Sequence, residues 1–141
     1  MRRKPRKGLV IRGQRGHPVV REAFKRFAVY ARERFEFPIR VPVYLGRGLN
    51  VRTRSGERVS AIFFGPYSRI VEPYIRVATG DYPELRKKMG RHGALAVTLH
   101  SLCHELVHYQ QWWTRTCMTE RGAEVRATSM VKKYLEQVRE P

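Results

Sequence analysis

The sequence predicts an α+β fold: a small antiparallel sheet of about three strands packed on an N-terminal helix, a central helix and a C-terminal glutamate-bearing helix. Apolar residues recur at spacings of three and four in the first and last parts of the chain, which indicates helices. The middle part holds three segments rich in β-branched and aromatic residues, which indicates strands. The connections between these segments are too short for crossover helices, so we expect antiparallel pairing.

The N-terminal helix is predicted over residues 18–37. Proline favours the first turn of a helix, and Pro18 stands at the start of this segment, while Pro38 provides a stop. One face of the segment is apolar, so the helix is expected to pack on the core. That face consists of Val20, Phe24, Phe27, Ala31 and Phe35.

The three strand segments are residues 39–45, 59–64 and 74–79, separated by Gly, Asn, Ser and Pro turns. One of the last two, if it lies at the edge of the sheet, could pair with an extended peptide. An ordinary solvent-exposed edge fits the sequence equally well.

The central helix carries the most informative motif of the chain, His-Glu-Leu-Val-His at residues 104–108. Residues four apart lie on one face of a helix, so His104 and His108 can bind one metal ion, with Glu105 within reach of a water molecule on that ion. The apolar stripe of this helix lies on the opposite side, which favours metal ligation over packed histidines. It consists of Leu95, Leu99, Leu102, Leu106, Tyr109 and Trp113. His100 extends the histidine column by one turn and is interpreted as a supporting residue or a bystander.

A catalytic zinc site needs a third protein ligand and a fourth position for water. No histidine follows His108, and the only aspartate lies upstream, so the ligand must be one of four downstream glutamates. If the chain reverses near residue 116, a residue level with His108 on an antiparallel helix is Glu124. A reversal near residue 114 would select Glu120 instead. Glu136 and Glu140 lie several turns too far along the helix.

These residues resemble the gluzincin class of zinc metallopeptidases, whose third ligand is a glutamate within Glu-x-x-Ala-(Asp/Asn). In that class the Asp or Asn four residues after the ligand supports a histidine. The segment Glu124-Val125-Arg126-Ala127-Thr128 fits this pattern, with Thr128 in place of the Asp or Asn. The earlier register, Glu120-Arg121-Gly122-Ala123-Glu124, fits with Glu124 as the supporting residue. We favour Glu124 as the ligand. The resemblance covers residues 95–138, and the small size is similar to that of the minigluzincins.

The resemblance implies a peptidase that hydrolyses peptide bonds through a zinc-activated water, with Glu105 as the general base. The expected metal ligands are His104, His108 and Glu124, and the expected substrate is a peptide or protein. Larger gluzincins stabilise the oxyanion with a downstream His or Tyr. This chain has no downstream His, and Tyr134 is poorly placed because it lies about two to three helical turns beyond Glu124. An upstream Tyr or Arg is therefore expected to take that role.

Length and composition predict one domain over residues 17–141, preceded by a basic N-terminal arm over residues 1–16. Cys103 and Cys117 form no Cys-x-x-Cys pair and no disulfide framework, which is typical of a cytoplasmic protein. The apolar run at residues 9–11 is too short for a signal peptide or a membrane span.

The sequence is strongly basic: 29 basic and 12 acidic residues give a net charge of +17. Thirteen of the basic residues, against three acidic ones, fall in the first forty positions. This region could bind nucleic acid through phosphate contacts. Arginine outnumbers lysine 22 to 7, so a coding bias and a solvated surface explain the charge as well. Three functions therefore remain open: a zinc peptidase, a DNA-associated peptidase or DNA-binding module, and a zinc-binding scaffold without activity.

Overall fold

The computed structural model describes residues 7–13, 15–117, 119–138 and 141, and confirms the α+β class. Within these residues the chain forms three helices and six strands. In chain order they are β1 (Leu9–Arg12), α1 (Pro18–Arg34), β2 (Val41–Gly46), β3 (Val51–Arg52), β4 (Arg58–Val59), β5 (Ala61–Phe64), β6 (Tyr74–Ala78), α2 (Tyr82–Thr114) and α3 (Glu120–Gln137).

The main sheet has the strand order β1-β2-β6-β5, and β3 and β4 form a separate antiparallel hairpin. The three predicted strand segments are confirmed as β2, β4 with β5, and β6. The expectation of a purely antiparallel sheet is wrong, because β1, β2 and β6 run parallel and only β5 is antiparallel to its neighbour. The sequence argument failed for two reasons. Helix α1 is itself a crossover connection between the parallel strands β1 and β2, and the hairpin and β5 lie between β2 and β6 in the sequence, which leaves enough chain for parallel pairing.

Part of the predicted N-terminal arm belongs to the sheet. Strand β1 pairs with β2, with Leu9 opposite Val41, and the Leu9 side chain is 1% exposed. A four-residue strand directly after a basic tract has too short a pattern to be recognised. Residues 1–6 and residue 14 of the predicted arm lie outside the described residues.

Helix α1 begins at Pro18 as predicted, and the N–H of Val19 donates to Nδ1 of His17 at 3.2 Å. It ends at Arg34, before the predicted residue 37. The chain becomes extended at Phe35, and the carbonyl of Phe37 accepts the N–H of Gly8 at 2.9 Å. The end of the segment thus pairs with the entry to β1 and cannot continue the helix.

The hydrophobic core lies between one face of the main sheet and the helices. The inner face is supplied by alternate strand residues, as the period of two requires. The core residues of the strands are Leu9, Val41, Val43, Leu45, Ile75 and Val77, and those of the helices include Phe24, Phe27, Leu95, Leu99, Leu102 and Leu106.

Helix α2 holds the motif at residues 104–108 and starts earlier than predicted, at Tyr82. It is kinked at Gly90, whose φ of 77° favours glycine because that residue has no Cβ. The buried hydroxyl of Tyr109 donates to the carbonyl of Ile39 and accepts the N–H of the same residue at 3.2 Å. This pair of hydrogen bonds anchors the motif-bearing part of α2 to the segment that enters β2.

Two expectations from composition can be compared with the structure. Cys103 is free and buried, and Cys117 is free and exposed, so the two do not form a disulfide. In the part of the chain that the structure describes, no helix combines the length and apolar character needed to cross a membrane.

Candidate metal centre

The two motif histidines lie one turn apart on the face of α2 that is turned toward α3. Their Nε2 atoms are 3.1 Å apart. Together with Glu105 they form a group whose potential ligand atoms all lie within 4.8 Å of one another. Histidine and carboxylate groups so close together could hold a metal ion.

The other ring nitrogen of each histidine faces an acceptor. Nδ1 of His104 lies 2.7 Å from Oε1 of Glu124, and Nδ1 of His108 lies 3.0 Å from Oε1 of Gln111. Only the second contact is a hydrogen bond, since Nδ1 of His104 has no hydrogen-bond partner among the described residues. The acceptor at Nδ1 of His108 favours the tautomer with the proton there, which leaves the Nε2 lone pair of His108 free. This lone pair lies at hydrogen-bond distance, 3.1 Å, from Nε2 of His104, so the two nitrogens can share either a proton or a cation. The arrangement therefore suits a metal ion.

Glu120, the alternative third ligand, faces both of these Nε2 atoms. Its Oε2 lies 3.4 Å from Nε2 of His104, and its Oε1 lies 3.6 Å from Nε2 of His108. Ligand atoms about 2.0–2.2 Å from a tetrahedral zinc ion are separated by roughly 3.3–3.5 Å. The three separations of 3.1, 3.4 and 3.6 Å are close to that range. The two imidazoles and the carboxylate could therefore hold one metal ion.

Glu124, the favoured third ligand from the sequence, lies on the far side of the His104 ring. Its Oε2 also lies 3.4 Å from Nε2 of His100, and that same nitrogen is 3.2 Å from the hydroxyl of Thr128. In this register Thr128 contacts His100 and not a motif histidine. These distances favour Glu120 over Glu124 for the third position, with Glu124 orienting His104.

The difference arises from where the chain reverses. The structure places His108 opposite Glu120 and His104 opposite Glu124. Both pairs are centred on residue 114 and not on residue 116. Arg115 has a left-handed conformation with φ of 54°, and the N–H of Thr116 donates back to the carbonyl of Gln111. The chain therefore reverses at the end of α2 itself.

Glu105 is the most buried charged group of the centre, with 6% of its surface exposed. Burial, and then the negative charges of Glu120 and Glu124, raise the pKa of Glu105 to about 8. Its Oε2 atom is buried and has no hydrogen-bond partner among the described residues. A buried carboxylate beside two histidines is thus left available to a ligand or water molecule.

The centre opens into a cleft between α2, α3 and the strands β4 and β5. One part of the cleft, of about 500 Å³, is lined by the centre itself and by Glu57, Val59, Ser60 and Ala61. An adjoining part of similar size continues past His108 to Trp112. Strand β5 is an edge strand of the main sheet, whereas β6 is internal. Of the two segments expected to pair with a peptide, residues 59–64 therefore have a free edge and residues 74–79 do not. Among the described residues lining both parts there is no Tyr or Arg to stabilise an oxyanion.

Sequence reasoning did not identify Gln111, whose side-chain oxygen lies 3.0 Å from Nδ1 of His108. The signal was available, because residues three apart on a helix are neighbours and Gln111 is three residues after His108.

Comparisons with protein families, with curated proteins and with solved structures gave no match to this chain. The interpretation of the centre therefore depends on its geometry and on the motif resemblance.

Proposed function

We propose that the chain is a zinc-dependent peptidase in which His104, His108 and Glu120 hold the metal and Glu105 is the general base. The observation that carries the proposal is the convergence of two Nε2 atoms, 3.1 Å apart, with the carboxylate of Glu120. A zinc ion held by these residues would polarise a carbonyl group and lower the pKa of a bound water to about 7.

The side chains around the ion have separate roles in this proposal. Glu105 accepts the proton of the attacking water and passes it to the leaving amine. Gln111 fixes the ring orientation and the tautomer of His108 through a hydrogen bond, and the carboxylate of Glu124 lies against the ring of His104 and restricts its orientation. Burial favours the protonated form of Glu105, and the positive charge of a bound metal ion would favour the ionised form that a general base requires.

The substrate in this proposal is an extended segment of a peptide or protein. Strand β5 has a free edge and contributes Ala61 to the cleft that contains the centre. A peptide added to this edge would gain main-chain hydrogen bonds and would pass the motif histidines. The free cysteines suit a reducing compartment, so we also propose a cytoplasmic location.

Metal titration and peptide digestion test the proposal together. The metal-free chain should take up about one zinc per chain, and the zinc-loaded chain should cleave members of a peptide library detected by mass spectrometry. Glu105→Gln, prepared in the same way, is the matched control and should take up zinc without cleaving. Failure to bind zinc stoichiometrically, or equal cleavage by this variant, would contradict the proposal.

A second candidate is a zinc-binding scaffold without hydrolytic activity. It is favoured by the described lining of the cleft, which has no Tyr or Arg beside the centre. An oxyanion donor contributes strongly to acyl-transfer catalysis. Zinc uptake without cleavage of any library peptide would favour this candidate over the peptidase.

A further inference from the structure

The face of the main sheet turned away from the core carries a row of arginine and tyrosine side chains. Arg12 of β1 is paired with Tyr44 of β2, and Tyr44 is paired with Arg76 of β6. Directly paired residues project to the same face of a sheet. Leu9, Val43 and Ile75 alternate with these residues and project into the core, so the row lies on the opposite face.

A second row of aromatic residues lies beside the first on the same face. Phe64 of β5 is paired with Tyr74 of β6, two residues before Arg76, and the two rings are stacked with centroids 5.1 Å apart. The Tyr44 and Tyr74 rings are 6.3 Å apart. We call this surface the open face; it consists of Arg12, Tyr44, Phe64, Tyr74 and Arg76, with Arg54 reaching it from the hairpin.

Arginine side chains lie over the aromatic rings of the open face. The guanidinium carbon of Arg76 is 5.1 Å from the centre of the Tyr74 ring, and that of Arg54 is 5.3 Å from the centre of the Phe64 ring. Such contacts hold positive charges at the level of the rings. Tyr44 is 42% exposed, so a flat aromatic surface remains accessible.

The charged residues that form the open face are all arginines. None of the four strands of the main sheet contains an aspartate or glutamate. A groove at one end of the face is lined by Arg15 and Arg47 together with Tyr44 and Arg76. The chain as a whole carries +17, which also opposes pairing of this face with a second copy of itself.

We propose that the open face binds single-stranded nucleic acid. Unpaired bases can stack on the exposed rings, and the arginines can contact phosphates or stack on bases in their turn. A duplex keeps its bases inside the helix, so it can use the charge but not the rings. The proposal does not depend on the peptidase function. It concerns a face of the main sheet, which shares Arg12 and Arg15 with the basic N-terminal region considered from the sequence.

Fluorescence anisotropy with labelled 12-nucleotide DNA and RNA single strands and a 12-base-pair duplex tests the proposal. The full-length chain should bind single strands more tightly than duplex. Tyr44→Ala should weaken single-strand binding on the order of tenfold, whereas Tyr44→Phe, which keeps the ring, should bind like the unchanged chain. The matched control is Tyr67→Ala, at a fully exposed tyrosine in the β5–β6 connection, which should have no effect.

A second pair of variants tests the charge. Arg76→Gln should flatten the dependence of log Kd on log salt by about 0.7, the value for one phosphate contact to a single strand. Arg91→Gln removes the same charge from α2 and should leave the slope unchanged. If Tyr44→Ala lowers the melting temperature, the comparison of Arg76→Gln with Arg91→Gln alone decides whether the open face binds nucleic acid.

Three outcomes would overturn the proposal. Equal affinity for duplex and single strand, with no effect of Tyr44→Ala, would mean that net charge alone attracts nucleic acid. Binding to phosphatidylserine vesicles that falls in Tyr44→Ala, while oligonucleotide binding stays constant, would assign the face to a membrane surface. Concentration-dependent self-association that Tyr44→Ala abolishes would assign it to a second copy of the chain.

Discussion

Replacing Glu120 with Gln should weaken zinc binding far more than replacing Glu124 with Gln. The carboxylate oxygens of Glu120 lie 3.4 and 3.6 Å from the Nε2 atoms of the two motif histidines. Glu124 instead lies 2.7 Å from the opposite nitrogen of His104. The two substitutions therefore remove the same charge from the same helix, but from different sides of the histidine ring.

The expected magnitudes follow from these positions. Loss of a group that orients a ligand typically weakens metal binding about 10- to 100-fold, and we expect Glu124→Gln within this range. Glu120→Gln removes a carboxylate whose oxygens lie 3.4 and 3.6 Å from the two Nε2 atoms, so the loss should exceed 100-fold, or about 2.8 kcal/mol. Glu136→Gln, on an exposed position of the same helix, should leave the affinity unchanged.

Competition between each variant and a chromophoric chelator, in buffer freed of metal, measures the zinc affinity. Circular dichroism melting curves of the metal-free proteins show whether each variant is folded. If Glu124→Gln weakens binding more than Glu120→Gln while both remain folded, Glu124 is the ligand and the register inferred from the distances is wrong. Equal effects of all three substitutions would mean that the net charge of α3, and not ligation, controls zinc uptake.

Further predictions concern other parts of the centre and its support. Gln111→Ala should weaken zinc binding about 10- to 100-fold because it frees Nδ1 of His108, while Gln110→Ala should have little effect; the same chelator competition measures both. Glu105→Gln should keep the zinc stoichiometry and the melting temperature of the metal-loaded chain, and a large loss of zinc would show that Glu105 is a ligand. Tyr109→Phe should lower the free energy of unfolding by about 2 kcal/mol, and the melting temperature by about 6 °C, because both main-chain groups of Ile39 lose their buried partner. Thermal unfolding with an unchanged midpoint would contradict that role of Tyr109.

Short-range spacing predicted most of the secondary structure and the centre of the site. The helix from Pro18, the strand segments and the histidine pair were all found from intervals of two, three or four residues. Such intervals fix which side chains share a face whatever the rest of the chain does. The same rule would have found Gln111, had it been applied beyond the motif.

Relations between distant segments could not be obtained in this way. The pairing of β1 with β2 depends on where α1 returns the chain, and the strand itself is only four residues long. The choice between Glu120 and Glu124 depended on a reversal at Arg115, whose left-handed conformation no composition rule predicts for an arginine. A shift of two residues in the reversal moved the third position by one helical turn. Register between helices is therefore the weakest step in predicting a metal site from a motif.

Strand β5 connects the two proposed surfaces and also separates them. Ala61 lines the cleft of the metal centre, whereas Phe64, three residues later, belongs to the open face. Residues an odd number apart in a strand project to opposite faces of the sheet, so one short strand can serve a peptide at one surface and a base at the other. Tyr44 projects to the face of the main sheet opposite the core, whereas Ala61 projects to the core side, so the sheet itself lies between the two surfaces. The two proposed functions can therefore be lost independently, and activity at one surface is not evidence for the other.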